Sequence, residues 1–177
     1  MPVLTGPLQD DGPLVEVVLG WSASRARQLR AALRPVPPPL QTRALLDTGA
    51  ETTCIDASLI QQLGLPFGGT APVNLPAHGG FTFSSVHDAS ITILHPSGRA
   101  RDHLAVLDLS VLELDLAALG YQALLGRDLL ARCRFVYDGP KGTRATEIPL
   151  ADRFCCEKTA SDCEDWDNPV VRLTLVR

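Results

Sequence analysis

The sequence has almost no lysine, no surplus of positive charge and no long apolar run. Only Lys141 and Lys158 are lysines among its 16 cationic residues, and this use of arginine, with abundant alanine, proline and leucine, is typical of a GC-rich bacterial genome. The formal net charge of -4 provides no basic surface of the kind that binds nucleic acid or anionic membrane. We therefore expect neither of these partners.

Neither a leader nor a membrane span is apparent in the sequence. Residues 1–12 contain Asp10 and Asp11 and lack the basic head and apolar stretch of a secretion signal. The most leucine-rich region, residues 104–125, is interrupted by three acidic side chains, which excludes it as a membrane span. These features predict a soluble, cytoplasmic protein.

The cysteines and histidines show no metal-binding pattern. Cys54 and Cys133 lie in apolar contexts and are predicted to be small core residues. The other three cysteines cluster near the C terminus with no histidine after them, so adventitious thiols are a better interpretation than a metal site. His87, His95 and His103 share neither a helical face nor a ligand spacing. We predict no metal and no cofactor.

One stretch, residues 44–56, concentrates the chemistry of the chain. An apolar run leads into Asp47, Thr48 and Gly49, so a buried strand presents a carboxylate in a tight turn that glycine permits. A single carboxylate does little alone, but two within hydrogen-bonding distance cannot both ionise, and such a pair can act as acid and base together. Asp-Thr-Gly is also an ordinary turn sequence, so the tripeptide by itself does not decide between the two interpretations.

A second stretch, Ala-Leu-Leu-Gly-Arg-Asp-Leu-Leu at 123–130, decides the matter. With both stretches in this order, the sequence resembles the retropepsin family, the retroviral-type aspartic proteases and their single-lobed cellular and bacterial relatives. The resemblance covers about residues 13–140 and implies an all-β, mainly strand fold, a closed barrel-like lobe with short helices. We expect one domain over 1–177, with a helical insertion at about 22–40 and a C-terminal β extension at about 141–177.

The resemblance implies that Asp47, Thr48 and Gly49 are the catalytic residues. The chain contains no second Asp-Thr-Gly or Asp-Ser-Gly, whereas a bilobed aspartic protease carries both aspartates in one chain. A pair of aspartates therefore requires a homodimer with a two-fold axis, in which Asp47 meets its symmetry mate. The implied partners are a second copy of the chain and a peptide or protein substrate.

The resemblance also implies a flap, a hairpin that closes over bound peptide. Residues 70–94 read as a β-hairpin and its continuation, with a tip at 77–80. The implied substrate-binding residues are Ala50, Glu51, His78, Gly79, Gly80 and Phe81. A plain surface hairpin also accounts for paired glycines, and an exposed, solvated side chain is the simpler interpretation of His78. Pocket specificity is expected in the loop at 108–122.

The last residue of the second apolar run and the three residues after it are implied to support the catalytic turn: Leu125, Gly126, Arg127 and Asp128. A side chain at Gly126 would push the turn away. Arg127 is expected to form an ion pair with Glu51, where most retroviral members have Asp. Asp128 is expected to cap a helix at 129–133.

Local patterns predict the other elements. A strand at 13–21 precedes a helix from Ser22 to about Arg34, with Leu29 and Leu33 as its buried stripe. Further predicted elements are strands at 52–55, 88–94, 101–107, 134–138 paired with 143–148, and 170–176, and a short helix at 59–63 capped by Asp56 or Ser58.

Two functions from different classes fit these features. The first is an aspartic endopeptidase in which the Asp47 residues of both chains activate a water molecule. The alternative is a catalytically silent dimeric module that binds or scaffolds peptides, which the intact Asp47, Thr48 and Gly49 argue against, since binding alone needs no carboxylate pair. A hydrolase that uses the pair on a non-peptide bond is a third and weaker interpretation.

Overall fold

Strands make up most of the protein in a computed structural model, which describes residues 3–7, 12–75, 80–138 and 170–175. The strands are β1 (Val3–Pro7), β2 (Leu14–Trp21), β3 (Leu40–Leu46), β4 (Cys54–Asp56), β5 (Phe67–Leu75), β6 (Gly80–Ile93), β7 (Leu104–Leu114), β8 (Ala123–Leu125), β9 (Cys133–Asp138) and β10 (Val170–Leu175). The helices are α1 (Ala23–Ala31), α2 (Ala57–Leu63) and α3 (Arg127–Leu130), with short 3-10 helices at Ala100–Asp102 and Ala117–Leu119. Among these described helices, none is long and apolar enough to cross a membrane.

Six of the strands form a closed barrel. They are hydrogen-bonded in the order β2-β3-β8-β4-β7-β6, and β6 pairs again with β2 to close the circle. β8 runs parallel to β3 and antiparallel to β4, so the chain threads β8 between two elements that flank the Asp47 turn. β5 pairs with the first part of β6 outside this circle. The architecture confirms the predicted mainly β, barrel-like lobe with short helices.

Alternate residues of β2 and of the second half of β6 point into an apolar core. Val17 and Leu19 of β2 and Ile91 of β6 are fully buried, as expected where alternate side chains share one face. Burial of a side chain of this size stabilises the fold by roughly 1.5–3 kcal/mol. Cys54 is buried as predicted, and Cys133 is half-buried against the same core.

The two ends of the chain meet in a separate three-stranded sheet. β10 lies between β1 and β9 and is antiparallel to both, with Leu173 opposite Leu4 on one side and Phe135 on the other. The predicted strands that correspond to β9 and β10 are confirmed, whereas β1 was not predicted. The strand expected at 143–148 lies outside the described residues, and β10 is the observed partner of β9. The predicted C-terminal extension at about 141–177 also lies outside the described residues, apart from β10.

The helical insertion begins where predicted but ends earlier. Ser22 is the N-cap of α1, and its Oγ accepts a hydrogen bond from Arg25 N at 3.3 Å. Leu33, expected in the buried stripe, is 95% exposed and has a φ of 55°. That prediction was wrong because the small side chain of Ala26 is the buried contact of α1, and the chain leaves the helix before Leu33.

Asp56 caps α2 as predicted. Its Oδ1 accepts hydrogen bonds from Ser58 N at 2.9 Å and from Ser58 Oγ, while Oδ2 accepts from Leu116 N at 2.8 Å. Burial disfavours the charged form of Asp56, but the hydrogen bonds from Ser58 and Leu116 outweigh burial and lower the pKa of the carboxyl group. Asp56 therefore joins α2 to the loop after β7, and its carboxylate is fully occupied by that task.

Asp56→Ala should lower the free energy of unfolding by about 2 kcal/mol at pH 7, because a helix cap and a buried hydrogen bond are lost. A carboxyl group whose pKa is lowered on folding stabilises the fold above its unfolded pKa, and this contribution is lost as the pH falls through the folded pKa. The difference between wild type and variant should therefore be constant near neutrality and shrink only below about pH 4. Urea unfolding at pH 7 and pH 3 measures it.

The control for this experiment is Asp115→Ala. Asp115 is exposed and accepts one long hydrogen bond, from Ala117 N at 3.4 Å. Its replacement should change the free energy of unfolding by less than about 0.5 kcal/mol. Equal losses from the two variants would contradict the role given to Asp56.

Candidate active site

Asp47 stands where β3 leaves the barrel. β3 runs parallel to β8, with Leu46 beside Leu125, and Asp47 N donates a hydrogen bond to Leu125 O at 3.0 Å. Because Leu125 is fully buried, this bond anchors the start of the turn to the core. Asp47 itself is half-buried, so its carboxylate lies between the barrel interior and solvent.

Gly49 holds the orientation of the Asp47 carboxylate. Gly49 N donates to Asp47 Oδ1 at 2.7 Å. A Cβ at position 49 would lie 3.0 Å from that same oxygen, which is tighter than ordinary contact. Thr48, between them, is exposed. The turn thus occupies Oδ1 with a backbone donor and leaves Oδ2 available.

The segment after β8 supports the turn from the other side. Asp128 Oδ2 accepts from Thr53 N at 3.0 Å, and Asp128 Oδ1 accepts from Thr53 Oγ1 at 2.7 Å. Thr53 Oγ1 accepts in turn from Gly126 N at 3.1 Å. Two backbone hydrogen bonds complete the contact, from Arg127 N to Ala50 O at 2.9 Å and from Asp128 N to Glu51 O at 3.2 Å. We call these residues the 126–128 support.

Gly126 is required by the closeness of this contact. A Cβ at this position would lie 2.6 Å from the carbonyl carbon of Thr52 and 2.8 Å from its oxygen. Both are backbone atoms, which cannot rotate aside as the end of a side chain can. The predicted close approach at Gly126 is therefore present in the structure.

Two details of the predicted support were wrong. α3 begins at Arg127 with Gly126 as its N-cap, so Asp128 lies in the first turn and is not the N-cap of a helix at 129–133. Its carboxylate holds Thr53 and also accepts a hydrogen bond from Leu129 N at 2.8 Å. The ion pairs within 4 Å among the described residues do not include Arg127 with Glu51. Both side chains are exposed, where solvation competes with pairing, and the backbone bonds already hold the two segments together.

A cavity of about 480 Å³ opens beside Asp47. Its lining combines residues of the turn, the returning strand, β5, β7, β8 and α3: Asp47, Gly49, Ala50, Glu51, Thr52, Cys54, Pro72, Val73, Asn74, Leu112, Leu114, Leu124 and Arg127. The walls are mainly apolar, and a volume of this size accommodates side chains of a bound peptide. Ala50 and Glu51, predicted to bind substrate, line it, and so do Leu112 and Leu114 of the 108–122 region.

The predicted flap is a long antiparallel hairpin. β5 pairs with β6 from Phe67 opposite His87 to Leu75 opposite Gly80, and we call β5 with Gly80–Val86 the flap hairpin. His78 and Gly79, which the sequence predicted at its tip, lie outside the described residues. Gly80 and Phe81 do not line the cavity beside Asp47, and Phe81 is 81% exposed.

Two residues near Asp47 were missed from the sequence. Cys54 lines the cavity, and burial, together with the charges of Asp128 and Asp47, raises the pKa of its thiol to about 12. Burial raises the pKa of the Tyr121 phenol, and the charge of Asp47 raises it further. Both groups remain protonated at neutral pH. Their positions along the chain could have indicated that they lie near Asp47, because Cys54 begins β4, the strand that follows the Asp47 turn, and Tyr121 lies two residues before β8, which pairs with β3.

The described residues contain no cluster of three or more His, Cys, Asp or Glu side chains that could hold a metal ion. The acidic side chains that line the cavity are Asp47 and Glu51, and Asp47 is the one whose carboxylate is oriented by a backbone donor.

Comparison with known proteins identifies the family. A sequence model of the retroviral aspartyl protease family matches residues 9–136, a span that contains both the Asp47 turn and the 126–128 support. The chain belongs to the retroviral aspartyl protease family. Among solved structures, it is similar to the crystal structure of a retropepsin-like aspartic protease from Rickettsia conorii, with 13% identity, a TM-score of 0.43 and coverage of 96% of this chain and 90% of that one. A comparison with curated proteins found no match.

Asp128→Asn should lower the free energy of unfolding by about 2 kcal/mol, because one acceptor oxygen becomes an amide group that faces hydrogen-bond donors. Glu51→Gln removes a charge from an exposed residue of the same loop and should change it by less than about 0.5 kcal/mol. Urea unfolding of both variants beside wild type makes the comparison. A large loss of stability from Glu51→Gln would contradict the structure, because it would indicate that Glu51 forms an ion pair with Arg127.

Proposed function

We propose that the protein is an aspartic endopeptidase that hydrolyses peptide bonds as a homodimer. The observation that carries the proposal is the position of Asp47, a carboxylate held by Gly49 N at 2.7 Å at the edge of a largely apolar cavity. A protein that only bound peptides would not need a carboxylate held in such a constrained turn. Membership of the retroviral aspartyl protease family supports the same assignment.

The homodimer follows from the number of available carboxylates. The chain has a single Asp-Thr-Gly. Among the other nearby carboxylates, Asp56 is occupied by Ser58 and Leu116, and Asp128 is occupied by Thr53. Glu51 also lines the cavity, but its side chain is exposed, whereas Gly49 N orients the carboxylate of Asp47. A second copy related by a two-fold axis supplies the missing partner, since any residue on the axis meets its own mate.

In the mechanism that we propose, the two Asp47 carboxyl groups share one proton. The ionised Asp47 accepts a proton from a water molecule, whose oxygen forms a bond to the carbonyl carbon of the scissile peptide. The protonated Asp47 donates its proton to the carbonyl oxygen. Because the water molecule is the nucleophile, no covalent bond to the protein forms. Collapse of the tetrahedral intermediate then breaks the carbon–nitrogen bond. The Asp47 that took the proton from water gives it to the leaving nitrogen, and the other Asp47 takes back a proton from a hydroxyl group of the intermediate, which restores the singly protonated pair.

The turn residues prepare Asp47 for this task. The bond from Gly49 N fixes the plane of each carboxyl group through Oδ1, so the Oδ2 atoms remain free to face water and the substrate carbonyl. The cavity walls formed by Leu112, Leu114 and Leu124 favour a substrate with apolar side chains beside the cleaved bond. Exclusion of water by the flap hairpin would strengthen the polar contacts around the pair.

Turnover of a mixed peptide library separates this function from its rivals. A silent binding module would retain peptides without cleaving them, and a hydrolase of another bond would leave the peptides intact. The intact Asp47, Thr48 and Gly49 favour cleavage.

Activity should scale with the dimer fraction. One Asp47 per chain is insufficient, so dilution below the dimer dissociation constant should reduce the specific activity in proportion to the dimer that remains. Sedimentation velocity and a peptide-cleavage assay over the same dilution series measure both quantities. Full activity from a demonstrable monomer would overturn the proposed dyad.

Asp47→Asn should abolish cleavage, because the amide keeps the shape of the side chain and removes the group that takes and gives the proton. The wild-type dimer should show a bell-shaped pH–rate profile with its maximum on the acid side of neutrality, since only the singly protonated pair is productive. The measurement is a pH–rate profile of wild type beside the variant. Residual cleavage by the variant, or a rate that rises steadily into alkaline pH, would assign the chemistry to another group.

A further inference from the structure

A buried histidine lies at the root of the flap hairpin. His87 of β6 is 5% exposed and stands opposite Phe67 of β5 on one side and Val111 of β7 on the other. Pairing between β6 and β7 begins at Val86, so the part of β6 before it pairs with β5 and not with β7. His87 is thus placed where the hairpin joins the barrel.

Both ring nitrogens of His87 face oxygen atoms. Nδ1 lies 3.1 Å from Pro66 O, and Nε2 lies 3.1 Å from Glu113 Oε2. A carbonyl oxygen accepts hydrogen bonds and does not donate them, so Nδ1 carries a proton. An ionised carboxylate likewise accepts only, so a second proton is needed on Nε2. The doubly protonated, cationic ring satisfies both contacts at once.

The charged groups around the ring are few. Pro66 and Phe67, at the start of β5, contribute no charge. Pro66 offers a carbonyl oxygen, and the ring of Phe67 lies nearly perpendicular to the imidazole, with centroids 6.4 Å apart. β7 contributes Glu113, two residues before the exposed Asp115. Asp88, next along β6, lies on the opposite face with Ser110 and Arg25.

Glu113 connects to the flap hairpin at a second point. Its carbonyl oxygen accepts a hydrogen bond from Ser84 Oγ, and Ser84 is itself buried in β6. One residue of β7 therefore holds two positions of β6, through its backbone at Ser84 and through its side chain at His87. The Ser84 contact does not change with pH near neutrality, whereas the His87 contact depends on the ring proton.

We propose that His87 is a positioning residue that fastens the flap hairpin to the barrel through its charged pair with Glu113, so that the hairpin is held more firmly in acid than above neutrality. Histidine is the side chain that ordinarily loses its charge between pH 5 and 8. Once the Nε2 proton leaves, the Glu113 carboxylate faces a nitrogen lone pair and the contact is lost. The value of this device for catalysis rests on the proposed function, in which the flap covers a pair of aspartates that works in acid.

Amide hydrogen exchange of the full-length protein tests the proposal. Protection factors, corrected for the intrinsic pH dependence of exchange, should fall about tenfold for the flap hairpin between pH 5.5 and pH 8, as expected for the loss of a charge-assisted hydrogen bond. Protection of β2 and β3 in the barrel serves as the internal reference. Flap protection that does not change with pH relative to this reference would overturn the proposal.

Two variants locate the effect. Glu113→Gln offers an amide that can pair with the neutral ring, so its flap protection should no longer depend on pH. Asp115→Asn removes a charge from an exposed position of the same neighbourhood and should keep the wild-type dependence. A dependence that persists unchanged in Glu113→Gln would overturn the proposal.

Nitrogen-15 NMR spectra of the imidazole rings measure the protonation of His87 in the wild-type protein. The ring in contact with Phe67 should carry two N–H groups at pH 5.5 and one at pH 8, and a neutral ring at pH 5.5 would overturn the proposal. These readings are independent of cleavage. Absence of peptide hydrolysis would overturn the proposed function without affecting the proposed role of His87. An active protease whose flap protection does not change with pH would overturn the role of His87 without affecting the proposed function.

Discussion

The close approach of Gly126 to the backbone at Thr52 and Thr53 is the constraint on which the site depends. Because position 126 carries no side chain, the end of β8 can lie directly against the returning arm of the Asp47 turn. That closeness lets Asp128 reach both the N–H and the hydroxyl group of Thr53, and lets Thr53 accept from Gly126 N. The Asp47 turn is therefore held in place by atoms from a distant part of the sequence.

The same constraint links the core to the candidate chemistry. Leu125, one residue before the contact, is fully buried and accepts the hydrogen bond from Asp47 N. A displacement at Gly126 would therefore move both ends of the turn that carries Asp47. In this arrangement the barrel serves as a rigid frame, and the position of one carboxylate is set by a contact between main chains rather than by flexible side chains.

Local patterns in the sequence were sufficient where local physics decides. Ser22 and Asp56 cap helices as predicted, because capping depends on residues two or three positions away. The apolar run ending at Asp47 predicted β3, and the alternation in β6 predicted a half-buried strand. The resemblance to a family supplied the arrangement of these elements. The family match confirms the family, and the strand order confirms the mainly β, barrel-like lobe.

Interactions that depend on tertiary placement or solvation were beyond the sequence. The expected ion pair of Arg127 with Glu51 is missing because both side chains lie in solvent, which no local pattern reveals. Leu33 had the right spacing for a helix face, yet α1 meets the barrel through Ala26. The pairing of β1 with β10 joins opposite ends of the chain, and the nearness of Tyr121 to Asp47 depends on the parallel pairing of β3 and β8.

We propose that two copies of Asp47 form one catalytic pair, and a crystal structure with a bound inhibitor would show directly whether they do. The inhibitor should be a peptide in which the scissile amide is replaced by a hydroxyl-bearing tetrahedral group. We expect one inhibitor per two chains, a two-fold axis beside the Asp47 turns, and both Asp47 carboxyl groups within hydrogen-bonding distance of the inhibitor hydroxyl and of each other. An inhibitor held by a single chain, or two Asp47 carboxyl groups too far apart to share a proton, would contradict it.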